Sequence, residues 1–291
     1  MTTKLSLRRL TYVLLPLIFS LVAPFATADD RGEGPLDKSE PKGITVDEII
    51  QKFATKEKQF KEAREQYTWR QDVRVMDDAD GQYRMVTDIL FDDRGKRVEN
   101  VVFAPQNSLR DVVMTKEDLD DIEKRLPFVL TSDEIPDYNI LYVGQQQEDD
   151  IHTYVFDIAP KQIQKNRRYF QGRIWVDDTD FQIVKTRGKN VPDLTKGQEN
   201  LFPEFTTWRE QVDGKYWFPT YTMVDDTLHF KTGDVHIKQI VKYTNYKRFG
   251  SNVKITYEGQ DIGSGDQQKQ QQGQPGKQPP QQNPPPQNPK Q

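Results

Sequence analysis

Hydrophobic positions in this chain change period along its length. From Thr45 they recur at helical spacing, with Ile49, Ile50, Phe53, Phe60 and Ala63 on one face and Lys and Glu on the other. Thr45 is a good N-cap, and Glu48 three residues later completes a capping box. This predicts a helix ending near Glu65. At Tyr67 the period becomes two-fold. Tyr67, Trp69, Val73 and Val75 alternate with Arg70, Asp72 and Arg74, and Asp80-Gly81 makes a turn. Met85, Ile89 and Phe91 continue the alternation, Asp93-Arg94-Gly95 turns again, and residues 98–103 form a further strand. Alternation broken by short turns predicts an antiparallel meander with one buried face.

Helical spacing returns over residues 115–125, where Leu119 and Ile122 share a side and Thr115 with Asp118 resembles a capping box. Pro127 limits that helix. Strands are predicted at 138–143 and 152–158. A hairpin of 169–176 and 181–186 flanks Asp177-Asp178-Thr179-Asp180. A second hairpin, 204–212 and 216–224, flanks Asp213-Gly214, the strongest hairpin signal present. Residues 228–230 and 235–246, separated by Gly233-Asp234, close the series. The order helix, strands, helix, strands implies an α+β, mainly β fold: a large curved antiparallel sheet of roughly ten strands, with helices covering one face.

The two ends read differently. Lys4, Arg8 and Arg9 precede an apolar stretch, residues 10–25, broken by Pro16 and Pro24, and Ala26-Thr27-Ala28 fits a small-x-small cleavage rule. Residues 1–28 are therefore expected to be a signal peptide, since the run is short and proline-broken for a membrane anchor. Both general secretory and twin-arginine export remain open. Residues 29–43 read as a flexible leader, 44–258 as the folded domain, and 259–291, almost entirely Gln, Pro, Gly, Asn and Lys, as a disordered tail. The expected location is the periplasm, in soluble form.

The 291 residues contain no cysteine, which excludes a disulfide scaffold and an N-terminal lipidated cysteine. The formal net charge of -4, more negative once the basic signal peptide is removed, argues against nucleic acid or an anionic membrane surface as partner. Chemistry for catalysis is sparse. His152, His229 and His236 show no zinc-ligand spacing, and no nucleophile elbow, phosphate loop or dinucleotide fingerprint occurs. Asp177, Asp178 and Asp180 read as a solvated hairpin turn, lacking the glycine and distal glutamate of a calcium loop. Glu148-Asp149-Asp150 and Glu117-Asp118-Asp120-Asp121 read as solvated faces. No cofactor or metal is expected, and no enzymatic activity.

Aromatic residues stand out: 15 Phe, 12 Tyr and 4 Trp in a chain that is 34% hydrophobic. Most fall in predicted strands, among them Trp69, Phe91, Phe103, Phe156, Trp175, Phe181, Trp208 and Trp217. Periodicity leaves two readings open, an ordinary β core or a sheet whose inner face lines a greasy cavity, because both need one apolar face.

Two segments resemble a known family. Tyr154-Val155-Phe156-Asp157-Ile158-Ala159-Pro160-Lys161 is followed by Phe170-Gln171-Gly172-Arg173-Ile174-Trp175-Val176-Asp177 and Asp180-Phe181-Gln182-Ile183-Val184. This is similar to the central hairpin of the outer-membrane lipoprotein-sorting, LolA/LolB-like, proteins. Asp213-Gly214-Lys215-Tyr216-Trp217-Phe218-Pro219 resembles a later hairpin of that family. The resemblance implies an unclosed β-barrel with helices lidding a hydrophobic cavity, and a periplasmic carrier of lipid or lipoprotein acyl chains that works between membrane-protein donors and acceptors. The Gln/Pro tail departs from the family pattern. On this basis Ile49, Ile50, Phe53 and Phe60 are expected to face the cavity from the first helix, and Leu119 and Ile122 from the second. Trp69, Phe91, Phe103, Phe156, Ile174, Trp175, Phe181, Trp208 and Trp217 are expected to line it from the sheet. The alternative is an envelope regulatory or scaffolding module of the same fold that binds a protein partner.

Overall fold

The computed structural model describes residues 34–92, 94–124, 127–165, 167–192, 202–249, 255–257 and 260–262. The expected signal peptide and nearly all of the Gln/Pro tail lie outside the described residues. Helix α1 (Val46–Arg64) begins at the Thr45–Glu48 capping box, with both reciprocal hydrogen bonds made. Three strands follow, β1 (Tyr67–Asp77), β2 (Gln82–Phe91) and β3 (Arg97–Asn107), then α2 (Lys116–Lys124) and a 3-10 turn, Ile135–Asp137. The remaining strands are β4 (Tyr138–Glu148), β5 (Ile151–Pro160), β6 (Tyr169–Asp177), β7 (Ile183–Val191), β8 (Phe205–Val212), β9 (Tyr216–Phe230) and β10 (Gly233–Arg248). Two short strands, β11 (Ile255–Tyr257) and β12 (Gln260–Ile262), pair antiparallel in a separate sheet.

The ten long strands form one antiparallel sheet in the order β3-β2-β1-β10-β9-β8-β7-β6-β5-β4. β1 sits inside the sheet. The chain winds outward to β3, crosses to the far edge at β4, and meanders back until β10 pairs with β1. The edges β3 and β4 do not pair with each other, so the barrel is unclosed. This topology obliges the β3–β4 connection to traverse a face of the sheet. Leu109, Val112, Met114, Leu119, Ile122, Phe128 and Leu130, all on that connection, pack into the core beside α1.

The sequence-predicted hairpins appear with their turns. Asp213 and Gly214 both take positive φ, 54° and 70°, the backbone that the tight Asp-Gly turn requires. β9, by contrast, is one continuous strand through Phe230, so the separate strand expected at 228–230 is its distal end. Its alternation is masked where Asp225 and Asp226 interrupt the apolar run, yet both pair across to β10.

The leader is attached where it is described. Asp37 exchanges backbone hydrogen bonds of 2.8 and 2.7 Å with Gln145 on edge strand β4. The Gln146 side-chain amide donates to the Gly34 carbonyl, and Leu36 packs against the outer face of the sheet. A Cβ at Gly144 would collide with the Asp37 carbonyl, so the glycine admits the crossing. This contact is backbone pairing to an edge, which leaves no hydrophobic period in the sequence.

Candidate functional site

Alternate residues of each strand point to opposite faces, and the structure divides the expected cavity residues accordingly. Ile49, Phe53, Trp69, Ile122, Phe156 and Ile174 belong to the main core on the inner, helix-covered face, with Ile50, Leu119 and Phe181 packed against it. Phe60 joins Tyr67 and Phe218 in an adjoining cluster near the end of α1. Phe91 lies at the sheet margin against Phe249, with ring centroids 4.9 Å apart.

Four expected residues lie on the outer face. Trp175 packs there with Val155, Val184 and Trp217, and its indole N–H donates to Gln146 Oε1 at 2.7 Å. Trp208 lies beside Tyr221 with the rings tilted, in a cross-strand row with Lys185 and Trp175. Phe103 lies under the Arg84 guanidinium. The two apolar faces are the reason. Each strand of this region carries large side chains in both phases, so the sequence does not say which phase is inward.

The α1 side of the inner face is filled. Ile49, Phe53 and Phe60 are 0% exposed, and the Phe53 and Phe156 ring centroids are 5.5 Å apart. Glu57 lies on this same apolar face, four residues from Phe53 and three from Phe60, and is fully buried. The helical face expected to hold only solvated Lys and Glu therefore excludes it. Arg209 reaches Glu57 from β8: Nη1 donates to Oε1 at 2.8 Å and Nη2 to Oε2 at 3.2 Å. Arg209 Nη2 also donates to the Phe128 carbonyl on the β3–β4 connection, so one guanidinium ties the sheet to both covering segments. Burial pushes the Glu57 carboxyl up, against the opposing pull of Arg209. The signal was available in the sequence: Phe205, Thr207 and Arg209 share one strand phase, as Glu57 shares the phase of the apolar helix face.

Free volume lies further along, under α2. A cavity of about 280 Å³ is bounded by Val112, Met114 and Ile122 from the connection and by Val224, Leu228 and Ile237 from the sheet. Of the residues expected to line a cavity, Ile122 alone does so. Val75, Phe205 and Phe230 add to its apolar wall, and Asn190 and Gln239 add polar groups. At about 280 Å³ it falls near the lower end of the ~300–1,000 Å³ typical of small-molecule sites.

Beside it opens a second, polar cleft of about 520 Å³, lined by Lys61, Arg64, Arg97, Arg167 and Arg168 together with Glu65 and Glu134. Asn190 borders both spaces. Asp121, on the wall of the apolar cavity, is ion-paired to Arg168 in the cleft. Among the described residues no cluster of three His, Cys, Asp or Glu could hold a metal ion, and no helix is long and apolar enough to cross a membrane. His229 and His236 each pair with an aspartate on the β9–β10 hairpin, Asp234 at 2.8 Å and Asp225 at 3.0 Å.

The chain is similar in structure to a LolA superfamily protein. That protein, from Nitrosomonas europaea, is 14% identical and aligns over 67% of this chain and 93% of its own, with a TM-score of 0.31. A DUF1329 family protein from Desulfovibrio piger is 12% identical over 69% of this chain and 92% of its own, with a TM-score of 0.36. A chain of the Pseudomonas aeruginosa MucA/MucB complex is 10% identical over 70% of this chain and 98% of its own, with a TM-score of 0.20. No family model and no curated protein matches the sequence. What the site can do follows from this chain's own residues.

Proposed function

We propose that this protein is a non-enzymatic, periplasmic carrier or binding protein for an acyl chain of a lipid or lipoprotein. The observation that carries the reading is the apolar cavity between the β3–β4 connection and the strands β1, β8, β9 and β10. Its walls are mostly apolar, with Asp118, Asp121, Asn190 and Gln239 among the polar groups at its margin, and its roof is a helix of nine residues, held on a long connection. Hiding an acyl chain of about sixteen carbons from water is worth at most ~13 kcal/mol, at ~0.8 kcal/mol per methylene. A carrier must also release its cargo. A roof that can settle onto the sheet when the site is empty recovers part of that free energy and keeps net affinity low enough for hand-over to a membrane protein. The cavity as it stands accommodates part of such a chain, and outward movement of α2 would admit more.

The test uses the mature chain. Mass spectrometry of organic extracts should find co-purifying lipid, and a fluorescent fatty acid should bind. Val224→Trp, which fills the cavity, should weaken that binding about tenfold or more while thermal unfolding stays cooperative. Absence of both co-purifying lipid and uptake would sink the reading.

One observation favours the second reading, a regulatory or scaffolding module with a protein partner. β3 is an edge strand exposed on both faces, with Val101 and Val102 53% and 47% exposed. Such an edge can accept a partner strand. A partner captured by the wild type and lost on Val101→Lys with Val102→Lys, with fatty-acid uptake intact, would establish that role in place of carriage.

A further inference from the structure

The polar cleft holds more positive charge than its own carboxylates balance. Arg167 is paired with Asp137 at 2.8 Å, and Arg168 with Asp121. The two lining carboxylates are largely committed elsewhere. Glu134 accepts from the Thr131 backbone and hydroxyl at 3.0 and 2.8 Å, and Glu65, well exposed, stands 4.0 Å from Arg97 Nη1. That leaves Lys61 and Arg64 without an ion pair among the described residues, and Arg97 with that one long contact. The guanidiniums of Arg64 and Arg97 both lie over the Trp69 ring, 5.0 and 4.3 Å from its centroid, so two like charges are held close together by one aromatic platform. Burial, and to a lesser degree the like charge of Arg97, lower the pKa of Arg64.

The buried polar atoms lining this cleft that lack a partner are of one kind. Arg97 Nε and Nη2 are buried without an acceptor, and the hydroxyl of Tyr169, which also lines the cleft, is buried without a partner as well. All of these can donate. An unsatisfied buried donor is costly, more so when charged, and an oxygen anion bound in the cleft would relieve that cost. A planar guanidinium is also the side chain best matched to two oxygens of a carboxylate or phosphate.

We propose that this cleft is an oxyanion site for the phosphate or carboxylate headgroup of an anionic amphiphile, whose hydrocarbon tail enters the adjoining apolar cavity. The proposal rests on the carrier reading for the tail and adds the class of headgroup. Asn190 lines both spaces, and the Asp121–Arg168 pair spans from one to the other, so the two compartments share a boundary of two described side-chain features. An amphiphile lying across that boundary would have its charge beside Arg97 and Arg64 and its chain beneath α2. The chain as a whole is acidic, at -4. The cationic cleft is thus a local concentration of positive charge in a chain of net negative charge.

The experiment is calorimetric titration of the mature protein with dodecyl phosphate, dodecanol and inorganic phosphate. Dodecyl phosphate should bind about tenfold or more tightly than dodecanol, the scale of one charged hydrogen-bonded contact. Arg97→Gln should remove most of that preference and leave dodecanol affinity unchanged. Lys61→Gln, at an exposed position that unfolding cannot confound, should remove part of it. Equal affinity of the wild type for the two dodecyl probes overturns the oxyanion site and leaves the carrier reading standing. Binding of inorganic phosphate that Arg97→Gln abolishes, with neither dodecyl probe bound, keeps the site and overturns the carrier reading. No binding of any probe overturns both.

Discussion

Glu57 and Arg209, 152 residues apart, meet in a doubly hydrogen-bonded ion pair that water does not reach. Glu57 comes from the first helix and Arg209 from β8, and Arg209 also holds the Phe128 carbonyl of the crossing connection. Breaking a buried pair by removing one partner strands a charge, at a cost of about 3–5 kcal/mol. Glu57→Gln should therefore destabilise the protein by about that much in urea unfolding. The double variant Glu57→Leu with Arg209→Met should recover most of the loss, since replacing both charges by apolar groups is often near neutral. A double variant no more stable than Glu57→Gln would show that the contact to Phe128 matters more than the pair.

The same crossing connection is fastened at its start by Asp77. Its carboxylate accepts backbone N–H groups of Gly81 at 2.7 Å, Arg110 at 2.7 Å and Asp111 at 3.1 Å. Burial opposes ionisation, but these donors outweigh it and hold the carboxyl below its ordinary 3.8. A folded value that is depressed means the unfolded chain binds the proton more readily in this range. The stabilisation is then present above about pH 4 and lost as pH falls through the lower folded value. Asp77→Asn should lower stability at neutral pH and flatten the acid limb of the stability curve, measured by urea melts between about pH 2 and 7. An acid limb that overlays the wild type would assign it to other carboxylates.

Packing under the first helix and free volume under the second make opposite demands on substitution. Phe53→Ala, at a site with no exposure, should cost about 3–5 kcal/mol and leave fatty-acid affinity unchanged. Were Phe53 the wall of a hollow, its truncation would be cheap and would enlarge the site. Comparing its unfolding free energy with its ligand titration separates these outcomes.

The leader covers an edge of the sheet and part of its outer face. Removing residues 29–39 would uncover the β4 edge at Gln145 and the apolar group formed by Val155 and Trp175 with Leu36. The truncated chain should bind more of a hydrophobic dye and self-associate at lower concentration, because exposed edges and apolar patches invite pairing. Light scattering indistinguishable from that of the chain beginning at residue 29 would show that the contacts of residues 34–39 contribute little.

Several features of this protein are local, and the sequence alone determined them. The Thr45–Glu48 capping box, the alternation in Trp69, Val73 and Val75, and the Asp213-Gly214 turn each depend on neighbours a few residues away. They fixed the first helix, the strand succession and the mainly β class before any tertiary contact is considered. The tertiary structure decided the rest, because each remaining feature depends on which distant segments meet. Trp175 and Ile174 are adjacent, and only the placement of the covering helices makes one inner and the other outer. Glu57 reads as a solvated charge until Arg209 arrives from β8. The cavity exists because the chain must cross from β3 to β4 over a face wider than its helices can fill, a property of strand order that no window of residues contains.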